Sequence, residues 1–540
     1  MKKRLLALTL GICLLAGSLA GCGKTEDSEK QKGGAELTGE KITITAQLHG
    51  YGQEWLENAA EEFTYQTGIE VECTFDALLS SNLTTILETK GVEKSDIYYA
   101  GSYEWSKWLT SGLIEDLTEF MSEPDENEGG KSINERITTS IKYLIDDEGN
   151  KAQGIFPFSG SVQGVAYNKE IMSYIAHDLL GWEEGHEYPI NTKELFEVVD
   201  ALNTAVEQGK NKELLTYSQD GKQFNVKALT WSGSVGTMEL FFYPWFGQYV
   251  GQEQLSAYLA DEDDNPDMYD CEAMFYVYQL ICDLMDITKD ETGNVYSANS
   301  IPNCVSYNHT ASQSQFLLGK SLMIPTGDWF YTEMEASIED DSAWGFMPVP
   351  WMSDEDGNPI TAEGVEMPKD ADGNYKPYDY SSSSGAFMVI PSEARNKENA
   401  KKFLRFMVSS EYLPRLEEDM QSCLCFEVDH TKVEKTAWFE EVLKVQDKVV
   451  KADYFSPHKM VLYGQMSFYK NPGTTPYTSL ATGRFGSVEK MVDSATGKTL
   501  NSGDTPTGVA VTENVYKYVI GNAESAKRVW DEAKALVGVR

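Results

Sequence analysis

The stretch KITITAQLHGYGQEWLENAAEEFTYQTGIEVECTF, residues 41–75, decides the predicted fold. Apolar and polar side chains alternate from 41 to 48, which predicts a β-strand. Apolar side chains then recur at helical spacing: Leu56, Ala59, Ala60 and Phe63. Gly68 is placed to end that helix, and a second alternating segment begins at Ile69. A strand, a helix and a second strand in this order predict a parallel sheet covered by helices.

Similar strand-loop-helix units continue along the chain. Short apolar strands are predicted at 95–100, 321–325 and 386–390, and helical patterns follow them. The chain has 540 residues, which is room for roughly two to four domains of ordinary size, or for two lobes with insertions. The sequence therefore predicts a large α/β protein.

The amino terminus has the layout of a secretory signal, with a basic start at 2–4 and an apolar run at 5–15. The run ends in Leu19-Ala20-Gly21-Cys22, which resembles the lipobox of bacterial lipoproteins. This resemblance implies a signal peptide over 1–21, lipid on Cys22, and a protein anchored to the outer face of the cytoplasmic membrane. The alternative is an uncleaved membrane span, for which the run is short. The polar residues 22–39 predict a flexible tether.

The charge of the chain restricts its partners. Against 45 Lys and Arg stand 85 Asp and Glu, a formal net charge of −40. Such a surface repels phosphate backbones, which argues against nucleic acid and anionic lipid as partners and favours neutral or cationic ligands.

Two residue patterns have a structural interpretation. Six cysteines remain after Cys13 and Cys22, and their spacing favours buried free thiols: Cys73, Cys271, Cys282, Cys304, Cys423 and Cys425. Gly-Asn pairs stand at 149–150, 293–294, 357–358 and 373–374, without the alternate acidic residues of a calcium loop. They predict turns with positive φ, and the segment 353–380 reads as an inserted hairpin.

Several short phrases carry a family resemblance through their order and spacing. They are TGIEV at 67–71, DI at 96–97, SGLI at 111–114, FP at 156–157, GVAYNK at 164–169, GKSLM at 319–323, TGDW at 326–329, GFMPVP at 345–350, IPS at 390–392, NKENAKKFL at 396–404 and SSE at 409–411. From about 41 to 495 the chain resembles the extracellular solute-binding proteins of ABC importers, in the class of the maltose-binding proteins.

The resemblance implies a type II periplasmic-binding-protein fold, in which hinge strands join two α/β lobes around a ligand cleft. The first lobe would take 40–156 and about 385–425. The second lobe would take 160–350 and about 430–540. The implied partners are a small-molecule ligand and the permease subunits of the importer, and the protein is expected to be a monomer.

Candidate ligand residues come first from a general rule, that ligands lie beyond the carboxyl ends of parallel strands. The loops selected are 49–54, 101–104 and 326–329, together with the crossover at 158–161. They contain Tyr51, Ser102, Tyr103, Glu104, Ser159, Ser161, Asp328 and Trp329. Rings, hydroxyls and carboxylates in one place suit a sugar, whose C–H faces stack on aromatic rings and whose hydroxyls need oriented partners.

The resemblance adds a second group of candidates and one preference. It implies that the region of Trp231, Glu239, Tyr243 and Trp245 supplies a carboxylate and stacking rings, and it matches Trp329 to a stacking tryptophan of the relatives. Two departures, Ala100 where relatives carry an aromatic ring and Ser161 where they carry a carboxylate, favour an oligosaccharide other than maltodextrin.

Other functions remain open on the sequence alone. A polyamine or other cation would suit the net charge, a secreted glycan hydrolase would also need aromatic rings and carboxylates, and a lipoprotein adhesin would need an exposed patch. The sequence contains no motif of the hydrolases, zinc enzymes or nucleotide-binding enzymes, and its six His residues have no metal spacing. We therefore expect a binding protein without cofactor, metal or catalytic residues.

Overall fold

The computed structural model describes residues 34–48, 50–101, 105–139, 143–145, 151–232, 237–252, 283–289, 295–381 and 386–453, with the single residues 255, 277, 280 and 281.

The strands alternate with helices along most of this length. The strands are β1 (Lys41–Ala46), β2 (Glu70–Phe75), β3 (Ile97–Ala100), β4 (Leu144–Ile145), β5 (Lys151–Ala152), β6 (Gln163–Asn168), β7 (Thr216–Gln219), β8 (Lys222–Asn225), β9 (Lys227–Leu229), β10 (Ile287–Lys289), β11 (Val295–Ser297), β12 (Ser321–Gly327), β13 (Trp344–Met347), β14 (Tyr378–Ser381), β15 (Phe387–Val389) and β16 (Val450–Asp453).

The helices are α1 (Glu54–Thr67), α2 (Leu79–Glu88), α3 (Trp105–Thr110), α4 (Thr118–Ser122), α5 (Ile133–Arg136), α6 (Lys169–Ser173), α7 (Thr192–Glu207), α8 (Lys212–Leu215), α9 (Glu239–Val250), α10 (His309–Leu317), α11 (Phe330–Met334), α12 (Lys397–Met407), α13 (Leu413–Met420) and α14 (Ala437–Lys448). A π-helical turn, Tyr174–Leu179, extends α6.

The first sheet has the strand order β15-β3-β1-β2. Strand β1 runs parallel to both β2 and β3, so the predicted strand-helix-strand unit is confirmed. Strand β15 returns much later in the chain and pairs antiparallel with β3. Helices α1, α12 and α13 pack on this sheet and bury an apolar core that includes Phe63, Phe403 and Leu416.

The second sheet has the strand order β13-β6-β12-β9. Strand β6 lies antiparallel to both β12 and β13, and β9 runs parallel to β12. Helices α7 and α9 contribute to one core beside this sheet, and α10, α11 and α14 contribute to another. The predicted strands at 321–325 and 386–390 thus lie in different sheets, which places them in the two lobes.

The chain passes between the sheets at three places that lie side by side. Ser159 pairs with Leu424 as an isolated antiparallel bridge, and Phe156 pairs with Met388. Strand β14 pairs in parallel with β16 and contacts β6. The exact lobe boundaries stay a prediction, but these crossings are where the two halves of the molecule meet.

The structure differs from the predicted tether at its end. The tether was expected to continue to residue 39, yet the backbone N–H of Ala35 donates to Tyr65 O at 2.9 Å and that of Thr38 donates to Gly68 O at 2.9 Å. The reason is that the carbonyl groups at the end of α1 have no partner within the helix, so the incoming chain satisfies them.

Two smaller predictions are confirmed within the described residues. Gly357 and Gly373 have φ of +84° and +89°, as turns with positive φ require. Cys304, Cys423 and Cys425 are buried free thiols, Cys73 is a half-buried free thiol, and Cys271 and Cys282 lie outside the described residues. The predicted insert at 353–380 contains both turns, but its last residues belong to β14, where Asp379 is only 1% exposed.

Candidate functional site

The loop that follows β1 brings Tyr51 to the junction between the lobes. Tyr51 is buried, and its hydroxyl donates to Asp328 Oδ1 at 3.3 Å and lies 3.5 Å from Ser159 Oγ. Burial raises the pKa of Tyr51, and the Asp328 charge raises it further, so the phenol stays protonated and acts as a donor. A residue of the first sheet is thereby tied to one that follows the second.

Asp328 is the centre of this junction and is completely buried. Besides Tyr51, it accepts hydrogen bonds from the backbone N–H of Val162 at 3.1 Å and of Cys423 at 3.2 Å. It also accepts from Ser161 Oγ at 3.1 Å and Ser422 Oγ at 2.6 Å.

The five donors to Asp328 come from three separate parts of the chain. Burial raises the pKa of Asp328, while the bond from Ser422 and the charge of Lys451 act in the opposite direction. Both oxygens of this carboxylate thus accept hydrogen bonds from the crossing segments and from Tyr51, and we call Tyr51, Ser161, Val162, Asp328, Ser422 and Cys423 the hinge cluster.

The crossover next to Asp328 depends on a glycine. Gly160 N–H donates to Cys423 O at 2.8 Å, and Cys425 N–H donates to Phe158 O at 2.9 Å. A Cβ atom on Gly160 would lie 2.3 Å from the Leu424 carbonyl oxygen, closer than any side chain permits. Glycine at 160 therefore lets the two crossing segments approach each other.

An ion pair between the half-buried Lys451 and the buried Asp379 supports the other side of the crossover. Lys451 Nζ donates to the carbonyl oxygens of Gly160 and Ser161 and lies 3.6 Å from Asp379 Oδ2. Asp379 also accepts from the Gln163 N–H at 3.1 Å. Burial raises the pKa of Asp379 to about 6, despite the charge of Lys451. These residues join β14 and β16 to the crossover.

Trp329 stands directly after Asp328, where β12 has ended. Its ring is half-buried, and its indole Nε1 donates to His309 Nε2 at 2.9 Å. The ring lies across Gly327, where a Cβ atom would be 2.2 Å from the indole. The Trp329 side chain also lies against Gly50 of the first lobe, where a Cβ atom would be 3.0 Å from Trp329 Cβ. The indole therefore sits between the lobes, with part of its surface exposed.

The remaining aromatic candidates lie in the core of the second lobe. Trp231 is 2% exposed and donates from Nε1 to Ser300 Oγ at 3.0 Å. Trp245 is fully buried and donates from Nε1 to Pro350 O at 2.7 Å. Tyr243 is fully buried in the same core. Their packing gives these rings a structural role, and it offers no support for the predicted contact with a ligand.

Some candidates cannot be placed. Ser102, Tyr103, Glu104 and Cys22 lie outside the described residues. Glu239 is the first residue of α9, and its side chain is outside the description as well.

The structure also reveals residues of this junction that were not among the candidates from the sequence. His309 contacts Trp329, Ser422 contacts Asp328, and Lys451 and Asp379 hold the crossover. Only His309 carries a recognisable signal, because it follows Asn308, whose side chain caps α10 near the strand ends. The others are single polar residues in segments that have no motif.

The described residues contain neither a membrane-spanning helix nor a cluster of metal ligands. None of the helices there is both long enough and apolar enough to cross a bilayer. Those ranges also contain no group of three or more His, Cys, Asp or Glu side chains placed to hold a metal ion.

Comparisons with known proteins agree on the class of this chain. A family model described as bacterial extracellular solute-binding protein matches residues 58–420. A comparison with curated proteins returns no match.

Solved structures of other proteins share the fold of this chain. The GacH receptor of Streptomyces glaucescens, solved unliganded and with acarbose, is 15% identical, with 83% of this chain and 97% of that chain covered and a TM-score of 0.54. The maltose/maltodextrin-binding domain of Bdellovibrio bacteriovorus, bound to maltotriose, is 14% identical. The match covers 82% of this chain and 97% of that chain, with a TM-score of 0.51. A chitin oligosaccharide binding protein is 12% identical. The match covers 82% of this chain and 97% of that chain, with a TM-score of 0.55.

These neighbours confirm the predicted fold class, an α/β protein of two lobes with the type II arrangement. The matched family and the neighbours are binding proteins rather than enzymes.

Proposed function

This chain belongs to the family of bacterial extracellular solute-binding proteins, and from that premise we propose that it captures an oligosaccharide and delivers it to the permease of an ABC importer. The observation that carries the proposal is the position of Trp329, a partly exposed indole between the two lobes. An aromatic face at such a junction suits the C–H face of a sugar ring. The oligosaccharides bound by three neighbours of the same fold support this ligand class.

The proposed contact surface is smaller than the set of candidates from the sequence. It consists of Trp329 from the second lobe and of Ser102, Tyr103 and Glu104, which follow β3 of the first lobe. Tyr51, Ser159, Ser161 and Asp328 are assigned instead to the hinge, because the hydrogen bonds of Asp328 are used there. A ligand that touches both lobes favours the closed arrangement, and that difference in affinity drives closure.

We expect the purified protein to bind an oligosaccharide and to return it unchanged. Thermal shift with maltotriose, chitotriose and spermidine tests this, because a ligand at 100 times its Kd stabilises the folded state by about 2.7 kcal/mol. Chromatography of the sugars after long incubation tests for cleavage. Stabilisation by spermidine alone would indicate a cation-binding protein, and cleavage that depends on the protein would indicate a hydrolase.

We also propose that lipid on Cys22 anchors the protein to the outer face of the membrane. Two or three acyl chains, each CH₂ contributing about 0.8 kcal/mol, suffice for stable anchoring. The Cys22→Ser variant should appear in the culture medium, whereas Cys73→Ser, which leaves the lipobox intact, should stay with the membrane fraction. A Cys22→Ser variant that stays in the membrane and is released only by detergent would contradict the anchor.

A further inference from the structure

One ring nitrogen of His309 is contacted by three groups that cannot all be satisfied at once. Trp329 Nε1 lies 2.9 Å from His309 Nε2, Gln313 Nε2 lies 3.1 Å from it, and Glu333 Oε2 lies 3.0 Å from it. Indole and amide N–H groups donate, whereas a carboxylate only accepts. The nitrogen can therefore serve the indole or the carboxylate, but not both.

The neutral and the protonated ring select different partners. In the neutral ring with its proton on Nδ1, the Nε2 lone pair accepts the Trp329 N–H, and Glu333 Oε2 faces a lone pair. In the protonated ring, Nε2–H donates to Glu333, and Trp329 loses its acceptor.

The side chains around His309 favour the protonated ring. Among the described residues, Glu333 Oε2 and Gln313 Oε1 are buried acceptors to which nothing donates while Nε2 carries no proton and accepts from Trp329. Burying such acceptors without a donor destabilises the fold, and a protonated ring supplies the missing donor to Glu333. An amide flip would turn Gln313 Oε1 toward the same proton.

The elements packed around His309 contain few other charges. Helix α10 carries none between His309 and Leu317, and β12 beside it carries none. Helix α11 contributes Glu333, which is followed by Glu335, and Asp328 is held by the hinge cluster. Glu333 is therefore the charged group in contact with the ring, at side-chain exposures of 24% for His309 and 19% for Glu333.

We propose that His309 is a positioning residue for the Trp329 indole, and that protonation of its ring transfers it from Trp329 to Glu333 and releases the indole. The consequence for ligand binding rests on the proposed function, because it requires Trp329 to stack on the sugar. The exchange of partners itself does not depend on any ligand.

The test follows the Trp329 indole N–H in the free protein. The chain without residues 1–22 is labelled with ¹⁵N at its 11 tryptophans, and the Trp329→Phe spectrum assigns the Trp329 resonance. Between about pH 8 and pH 5, where histidines change charge, this resonance should move, and its protection from hydrogen exchange, relative to free tryptophan at the same pH, should fall at the acidic end.

Three variants separate positioning from a merely structural role. In His309→Gln the resonance should no longer move with pH, because the side chain cannot be protonated there. In Glu333→Gln the movement of the resonance and the loss of protection should be smaller than in wild type, because no carboxylate is left to receive the ring proton in place of the indole. His177→Gln is the matched control, because His177 also contacts a glutamate, Glu187 at 3.1 Å, on another face of the protein; it should behave as wild type.

A Trp329 resonance that does not move in wild type, or that moves equally in His309→Gln, overturns the proposal. If His309→Gln does not fold, Glu333→Gln decides, and a movement of the Trp329 resonance as large as in wild type overturns the proposal. The probe for binding is the sugar of the maltotriose and chitotriose pair that gives the larger thermal shift, and its affinity should fall about 2- to 10-fold from pH 7.5 to pH 5.5 in wild type, the range for one neutral hydrogen bond. If the indole responds as expected while no sugar of the panel binds, the positioning role stands and the proposed function fails.

Discussion

Replacing Asp328 by alanine is expected to lower the free energy of unfolding by at least about 3 kcal/mol, the range for breaking a buried hydrogen-bond network. The substitution removes the acceptor for two backbone N–H groups, those of Val162 and Cys423, and for three hydroxyls. Backbone N–H groups cannot turn away, so they remain buried without a partner. Differential scanning calorimetry of the unliganded protein measures the effect.

The Asp328→Asn variant is the informative companion. Tyr51 and Ser161 donate to Oδ1, and these hydroxyls can rotate and accept from an amide instead. Val162 and Cys423 donate to Oδ2 through fixed N–H groups, so the amide oxygen should take that side. We expect Asp328→Asn to lower the free energy of unfolding by less than half of the amount by which Asp328→Ala lowers it.

An exposed carboxylate provides the control for the alanine variant. Asp340 accepts from Ser342 N–H at 3.0 Å at the surface, and removing such a cap costs about 0.5–2 kcal/mol. If Asp328→Ala melts no earlier than Asp340→Ala, the hinge cluster does not hold the lobes together in the way described.

The sequence predicted the fold where local patterns repeat. Alternation at 41–48 and helical spacing around Phe63 depend on which face each side chain buries, and both were correct. The rule on strand ends also selected Tyr51 and Trp329, which the structure places at the junction of the lobes. Each of these features depends on a short, continuous stretch of sequence.

The role of Asp328 could not be predicted in the same way. The sequence suggested a carboxylate for ligand hydroxyls, but its donors come from Val162, 166 residues earlier, and Ser422, 94 residues later. Trp245 is a similar case, because its indole N–H meets the carbonyl of Pro350, 105 residues away. Pairings at such separations depend on tertiary packing, and neither periodicity nor composition records them.

Asp328, which is bonded to the crossover, and Trp329, which lies between the lobes, are consecutive residues. Strand β12 ends at Gly327, and the next residue is bonded to the crossover. The residue after that presents its ring between the lobes. A change in lobe angle at the crossover would move the indole relative to Gly50, which would couple the lobe angle to the proposed ligand contact of Trp329.

Replacing Trp329 by alanine is expected to weaken ligand binding at least about 30-fold, which corresponds to the roughly 2 kcal/mol typical of truncating a buried tryptophan in an interface. The probe is the sugar of the maltotriose and chitotriose pair that gives the larger thermal shift with wild type, and calorimetric titration measures its Kd. The loss should be larger than that from Trp329→Phe, which keeps an aromatic face but removes the N–H donated to His309.

Closure provides the second measurement for the same variant. Small-angle scattering of wild type should show compaction when the sugar is added, and Trp329→Ala should need a correspondingly higher sugar concentration to compact. The control is Trp182→Ala, because Trp182 is a half-buried tryptophan that stacks on His186 at 4.2 Å away from the junction; it should bind as wild type. A Trp329→Ala protein that binds normally but melts early would show that the indole is packing material between the lobes, because the ring also contacts Gly50 and Gly327. In that case the proposed contact surface would have to be sought among Ser102, Tyr103 and Glu104 alone.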